Sequence, residues 1–105
     1  MELKDLKLYD EISQTIYISD METYDLVFLN RCGRQRLGIQ QEQEVYGKCY
    51  QVLQGHYKPC SFCNNKDLKE NQVCSWKHWN ERLKSEFLVN DSLFWLWDKW
   101  HRMEI

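Results

Sequence analysis

The apolar positions of the first twelve residues follow a helical spacing. An apolar side chain recurs there at every third position between mostly charged residues, and the four positions are Leu3, Leu6, Tyr9 and Ile12. This pattern predicts an amphipathic helix over residues 2–13. Two interpretations of its apolar stripe are open, because the stripe can pack against its own domain or pair with a second chain.

The next segment has the alternation of a strand rather than the spacing of a helix. Ile16 and Ile18 point to one side of residues 15–20, and more polar side chains point to the other. Residues 25–29 are largely apolar, and the polar residues 21–24 separate the two runs. Two short strands around a four-residue turn predict an antiparallel hairpin.

Two short helices are predicted after this hairpin from their start and stop signals. Asn30 is a good N-cap for a helix over residues 31–37, which Gly38 would end. A second helix is predicted over residues 48–54, with Gly55 as its stop.

The last third of the chain is rich in aromatic and β-branched residues. These residues concentrate in three runs, 73–79, 86–97 and 100–105, with turn residues at 80–85 and 98–99. The pattern predicts a three-stranded meander. Together with the first hairpin, it predicts an α+β domain: a five-stranded antiparallel sheet with short helices packed on one face and an N-terminal flanking helix.

Length and composition fit one such domain. A chain of 105 residues buries roughly 65% of its unfolded surface on folding, which is enough for a single core. The predicted organisation is a flanking helix over residues 1–13 and one domain over residues 14–105. Because the last predicted strand runs to Ile105 without a cap, we expect the domain to be part of a longer protein.

The charge and the absence of targeting signals narrow the function classes. A net charge of −2 gives no strongly basic face, so a dedicated nucleic-acid-binding role is not expected. Residues 1–12 carry charges throughout and do not resemble a signal peptide, and no run has the length of a membrane span. The sequence therefore predicts a cytoplasmic protein without membrane insertion. The sequence contains neither a phosphate-binding loop nor a zinc-protease motif, so no motif in it points to catalysis.

Four of the five cysteines are spaced in a way that allows shared chemistry. Cys60 and Cys63 form a Cys-x-x-Cys pair, and ten residues separate this pair from Cys49 on one side and from Cys74 on the other. Four thiolates would complete a zinc site, and His56 is an alternative fourth ligand. The pair can also cycle between dithiol and disulfide. The third interpretation is that these cysteines are reduced thiols that only pack in the core. A zinc site, an iron–sulfur cluster, a redox pair and a site without a cofactor are therefore all open.

Three runs of this sequence resemble a PAS domain of the type found upstream of bacterial diguanylate cyclase (GGDEF) signalling proteins. They are Ile16-Tyr17-Ile18-Ser19-Asp20-Met21-Glu22-Thr23-Tyr24, Gly47-Lys48-Cys49-Tyr50-Gln51-Val52-Leu53-Gln54-Gly55 and Pro59-Cys60-x-Phe62-Cys63. Trp76, Asn80 and the closing residues 102–105 also fit, and the resemblance covers about residues 13–105. The chain departs from the pattern at Asp98-Lys99, where the subgroup usually turns with Asn-Gly or Asp-Gly; we therefore expect a wider turn there.

The resemblance implies a sensory or dimerising module that is not itself an enzyme. Such domains hold a small ligand or cofactor between the sheet and the helices, or only mediate contacts, and they control an attached output domain, here expected to be a diguanylate cyclase. A homodimer through the flanking helix or the sheet is also implied. Candidate pocket residues, chosen as inward positions of sheet and helices, are Ile18, Phe28, Tyr50, Leu53, Trp76 and Leu88.

A flavin photoadduct is not expected. When Leu53-Gln54-Gly55 is aligned with the end of the light-sensing flavin motif, Tyr50 takes the place of the reactive cysteine. Cys49 is displaced from that place by one residue, which is about 100° of rotation on a helix. Two rival functions stay open beside ligand sensing: a metal or redox module built on the cysteines, and a pure dimerisation domain with a filled core.

Overall fold

A computed structural model describes residues 3–41, 45, 47–55, 57–58 and 68–105. In chain order, the elements are a 3-10 helix over Leu3–Glu11, strands β1 (Tyr17–Asp20) and β2 (Leu26–Leu29), helices α1 (Arg31–Leu37) and α2 (Cys49–Gln54), and strands β3 (Val73–Asn80), β4 (Ser85–Leu96) and β5 (Lys99–Glu104). The five strands form one sheet in the order β2-β1-β5-β4-β3, and every neighbouring pair is antiparallel. The predicted α+β class and five-stranded antiparallel sheet are therefore confirmed.

The helix boundaries follow the capping residues. The side-chain oxygen of Asn30 accepts a hydrogen bond from the Gly33 backbone N–H at 3.0 Å, as an N-cap does. Gly38 and Gly55 end α1 and α2 with φ of 73° and 71°, in the left-handed region that glycine adopts without a steric penalty. These signals act within one helical turn, which is why the sequence alone located them.

The N-terminal segment lies on the face of the sheet opposite α1 and α2. It is a 3-10 helix that ends at Glu11, so it is tighter and shorter than the predicted helix over residues 2–13. Leu6 is buried against Ile18 and Leu96, which supports the interpretation that the stripe packs on its own domain. Leu8 stays 73% exposed. The proposed flanking-helix dimer stays a prediction.

The turn between β4 and β5 differs from the predicted one. Trp97 and Asp98 form a two-residue turn with φ of 51° and 59°, and Leu96 pairs with Lys99 across it. The turn is thus one residue earlier than predicted and tight instead of wide, with the two positive φ angles that a short hairpin requires. Trp95 and Trp100 pair across the strands with ring centroids 5.2 Å apart, which positions the hairpin register.

Candidate functional site

One face of the sheet, here called the inner face, lies under α1 and α2. Strand register places a row of side chains on this face: Tyr17, Trp76, His78, Asn80, Val89, Asp91, Arg102 and Glu104. Apolar contacts hold the helices over it, because Tyr17, Leu26, Leu29 and Leu53 form one buried cluster with Leu37 and Val52 packed around them.

Polar contacts fix α2 relative to the sheet. The Asn80 side-chain amide donates to the Leu53 carbonyl at 3.2 Å, and the Cys49 backbone N–H donates to the Tyr24 carbonyl at 2.8 Å. Lys48 pairs with Asp25 at 2.7 Å. The helix is thereby held above β3 and next to the β1–β2 hairpin, so its inward side chains have defined positions.

A cavity of about 330 Å³, here called the main cavity, lies between the helices and the inner face. Its apolar wall includes Leu37 and Leu53 from the helices and Phe87 and Val89 from β4. Gln54, Asn80 and Glu104 are among its polar lining residues. Apolar side chains and polar groups thus line the same space, as they do in small-molecule sites.

A smaller space, here called the aromatic pocket, adjoins the main cavity and measures about 30 Å³. Four aromatic side chains line it together with Cys49 and Glu104, and they are Tyr17, Tyr24, Tyr50 and Trp76. Tyr24 and Tyr50 meet edge to face with centroids 5.8 Å apart. The two spaces share Tyr17, Leu53, Gln54, His78 and Glu104 as lining residues.

A group of three ionisable residues, here called the charge cluster, lies on the inner face beside both spaces; two of them are buried and Glu104 is 14% exposed. The Arg102 guanidinium contacts Asp91 with two nitrogens, at 2.9 Å and 3.3 Å, and contacts Glu104 Oε1 at 3.0 Å. The Trp76 indole N–H donates to Asp91 Oδ2 at 2.6 Å. Asp91 is fully buried and Arg102 is only 5% exposed, so these contacts replace the water that both charges have lost.

The protonation of the cluster follows from this burial. Burial raises the pKa of Glu104 well above its ordinary 4.5, and the hydrogen bond and negative charge of Asp91 raise it further, although Arg102 acts against the shift. Burial and then the charge of Glu104 also raise the pKa of Tyr17 well above 10.0. Near neutral pH, Tyr17 is therefore a neutral phenol, and the titration of Glu104 is shifted toward its acid form.

The structure brings three of the six predicted pocket residues together. Tyr50 and Trp76 line the aromatic pocket, and Leu53 lines both spaces. Ile18 and Phe28 lie on the opposite face of the sheet, under the 3-10 helix. Leu88 borders the main cavity, but it is 65% exposed. The 3-10 helix covers part of the second face, and an alternating apolar pattern does not say which of the two faces holds the cavity.

The cysteine predictions are only partly within the described residues. Cys49 borders the aromatic pocket, and Cys74 lies on β3 opposite Asp91. Cys60, Cys63 and His56 lie outside the described residues. Within the described ranges, no three His, Cys, Asp or Glu side chains are grouped so that they could hold a metal ion. Zinc, iron–sulfur and redox roles for the cysteines stay predictions.

Sequence reasoning missed the charge cluster. The sequence contains a weak indication of it. Asp91 lies within the largely apolar and aromatic strand β4, and Arg102 and Glu104 occupy alternate positions of β5. Charged residues at same-face positions of neighbouring strands predict a buried ion pair only when the register is known. That register comes from the structure.

Comparison with protein-family models and with curated proteins finds no match to this chain. Within the described part of the chain, no helix has the length and hydrophobicity needed to cross a lipid bilayer.

Proposed function

We propose that this chain is a PAS-type sensory domain of a bacterial signalling protein, which binds a small organic ligand and regulates an attached output domain. The observation that carries this proposal is the main cavity, a space of about 330 Å³ between the helices and the inner face. This volume lies within the range of known small-molecule sites, roughly 300–1,000 Å³. The sequence resemblance implies a ligand at the same place in the fold, between sheet and helices.

The charge cluster supports a binding role for this cavity. Burying ions costs several kcal/mol each, and an ion pair in a protein interior often contributes nothing to stability compared with apolar residues. Here Glu104 belongs to that costly cluster and also lines both spaces. A polar group placed at the wall of an apolar cavity orients a ligand, which gives the cluster a function beyond stability.

The position of Glu104 also suggests how binding is transmitted. Glu104 ends β5, and the next residue, Ile105, exchanges two backbone hydrogen bonds with Asn90 at 2.8 and 2.9 Å. In this proposal the output domain, expected to be a diguanylate cyclase, follows β5. A ligand that binds one arrangement of Glu104 more tightly than another shifts the population of that arrangement, and β5 carries the shift toward the output domain.

A thermal-shift screen with a cavity-filling variant tests this function. A ligand present at 100 times its dissociation constant adds about 2.7 kcal/mol of stability, which we expect to raise the melting temperature by roughly 10 °C. Val89→Phe places a larger side chain in the main cavity and is expected to abolish the shift. Val73→Phe is the matched control, because Val73 is 66% exposed and points to the opposite face.

The proposal fails if no compound of a broad metabolite panel stabilises the wild-type protein. It also fails if folded Val89→Phe protein, checked by circular dichroism, responds to the same compounds as strongly as Val73→Phe protein does. Such a result would place the ligand outside the main cavity.

A further inference from the structure

The charge cluster contains one carboxyl group more than its guanidinium can neutralise. Asp91 and Glu104 both contact Arg102, so the cluster has a net charge of −1 whenever both acids are ionised. An uncompensated charge in a buried site is costly, so it is removed by a proton or matched by a second cation. Burial and the neighbouring Asp91 raise the pKa of Glu104, which favours a proton on this acid.

The aromatic pocket provides the surroundings in which a second cation is favourable. The rings of Tyr17, Tyr50 and Trp76 line it together with Glu104 and with Arg102, whose charge the two carboxyl groups offset. The face of an aromatic ring attracts an ammonium or guanidinium group, and the attraction grows when the site excludes water. Tyr17 is buried, so a cation beside it would be largely desolvated.

One polar lining group, the side-chain amide of Gln54, has a buried acceptor that such a ligand could hydrogen-bond. The side-chain oxygen Oε1 of Gln54 is buried and has no hydrogen-bond partner among the described residues. Gln54 lines both spaces. A buried acceptor without a partner is costly, and a ligand N–H group would satisfy it. A quaternary ammonium group has no N–H and would not.

We propose that the ligand is a small primary amine, whose ammonium group contacts Glu104, Gln54 and the aromatic rings while its apolar body fills the main cavity. This inference rests on the proposed function and names its ligand class. The apolar body would contact Leu37, Phe87 and Val89. An anionic group is disfavoured in the aromatic pocket because Arg102, which also lines it, already contacts two carboxyl groups.

Binding of an amine in this site is coupled to proton release. The neutral Glu104 acid loses its proton to the buffer, and its carboxylate then pairs with the incoming ammonium group. Asp91 from β4 and Arg102 on its own strand act directly on Glu104. The other titratable or charged groups that line the two spaces with it are Tyr17, Tyr24, Arg36, Cys49, Tyr50, His78 and Glu86. Because Glu104 must ionise, amine affinity is expected to rise with pH until this acid is ionised in the free protein.

Three probes of similar shape and different charge test the inference: phenethylamine, 2-phenylethanol and 3-phenylpropionate. Isothermal titration calorimetry is run with the purified full chain in two buffers of different ionisation enthalpy. We expect phenethylamine to bind at least tenfold more tightly than either other probe, with up to one proton released per amine bound. Glu104→Gln keeps the neutral shape and is expected to lose at least tenfold in amine affinity. Glu81→Gln removes an exposed carboxylate and is expected to change nothing.

Gln54→Met is a second variant, because it leaves the charge cluster intact and is expected to weaken amine binding severalfold. Tighter binding of the alcohol or the carboxylate overturns the amine assignment but leaves the proposed ligand-binding function standing. Equal binding by wild-type and Glu104→Gln protein overturns it as well. No binding by phenethylamine overturns the inference, and the metabolite screen with Val89→Phe then decides separately whether the cavity binds any ligand.

Discussion

Arg102→Met is expected to lower the free energy of unfolding by roughly 3–5 kcal/mol at neutral pH. The substitution removes the guanidinium that contacts Asp91 with two nitrogens and Glu104 with one. Asp91 is then left fully buried without its cation, and breaking one side of a buried pair costs far more than the pair itself contributes. Urea denaturation, with the slope of the transition unchanged, measures this loss.

Two variants distinguish this cause from simple loss of volume. Arg31→Met removes a half-exposed guanidinium that is 3.7 Å from Glu11, and its expected cost is within about 1 kcal/mol. Combining Arg102→Met with Asp91→Leu is expected to recover much of the loss, because apolar replacement of a whole buried ion pair is often neutral. A loss below about 1 kcal/mol for Arg102→Met alone would contradict the described cluster.

Asn30→Ala is expected to cost about 2–4 kcal/mol of unfolding free energy. The side-chain oxygen of Asn30 accepts from the backbone N–H groups of Ile16 and Gly33, at 2.9 and 3.0 Å. Its amide nitrogen donates to the carbonyls of Tyr9 and Gln14, at 2.9 and 2.8 Å. Asn30 is fully buried, so its removal takes a helix cap away and leaves buried backbone groups without partners.

Asn30→Ser separates these two contributions. Serine can cap α1 but is too short to donate to both carbonyls of the segment before β1, so we expect an intermediate loss. In thermal unfolding, we expect the melting temperature to decrease in the order wild type, Asn30→Ser, Asn30→Ala. Equal stability of Asn30→Ser and wild type would show that the contacts to Tyr9 and Gln14 add nothing.

Local signals made much of the fold predictable from the sequence. The N-cap at Asn30 and the stops at Gly38 and Gly55 were located correctly, because each acts on backbone groups within one helical turn. The sequence predicts the last hairpin turn one residue too late. It offers no glycine there, and Trp97 adopts a positive φ that residues with bulky side chains rarely adopt. The cross-strand pair of Trp95 and Trp100 fixes that register instead.

The candidate site was less predictable, because it depends on contacts between residues distant in sequence. The sequence predicts that Tyr50, Leu53 and Trp76 face inward, and they line the cavities. The same rule predicts an inward Ile18, but this residue faces the 3-10 helix, whose position on the second face the sequence does not indicate. The opposition of Asp91 and Glu104 across β4 and β5 follows from strand register, which no local motif specifies.

The excess carboxyl group at the cavity wall also predicts how stability varies with pH. The pKa of Glu104 is raised in the folded state, so the protonated acid stabilises the fold. This stabilisation is fully present below the ordinary pKa of 4.5 and is lost as pH rises through the pKa of the folded state. The most direct test of the account is a carbon-13 NMR titration of the Glu104 side-chain carboxyl in the ligand-free protein, with the signal assigned by its absence in Glu104→Gln. The account predicts a midpoint well above 4.5. A midpoint at or below that value would mean that Glu104 is already a carboxylate in the free protein, and it would contradict the raised pKa of this acid and the proton release proposed for amine binding.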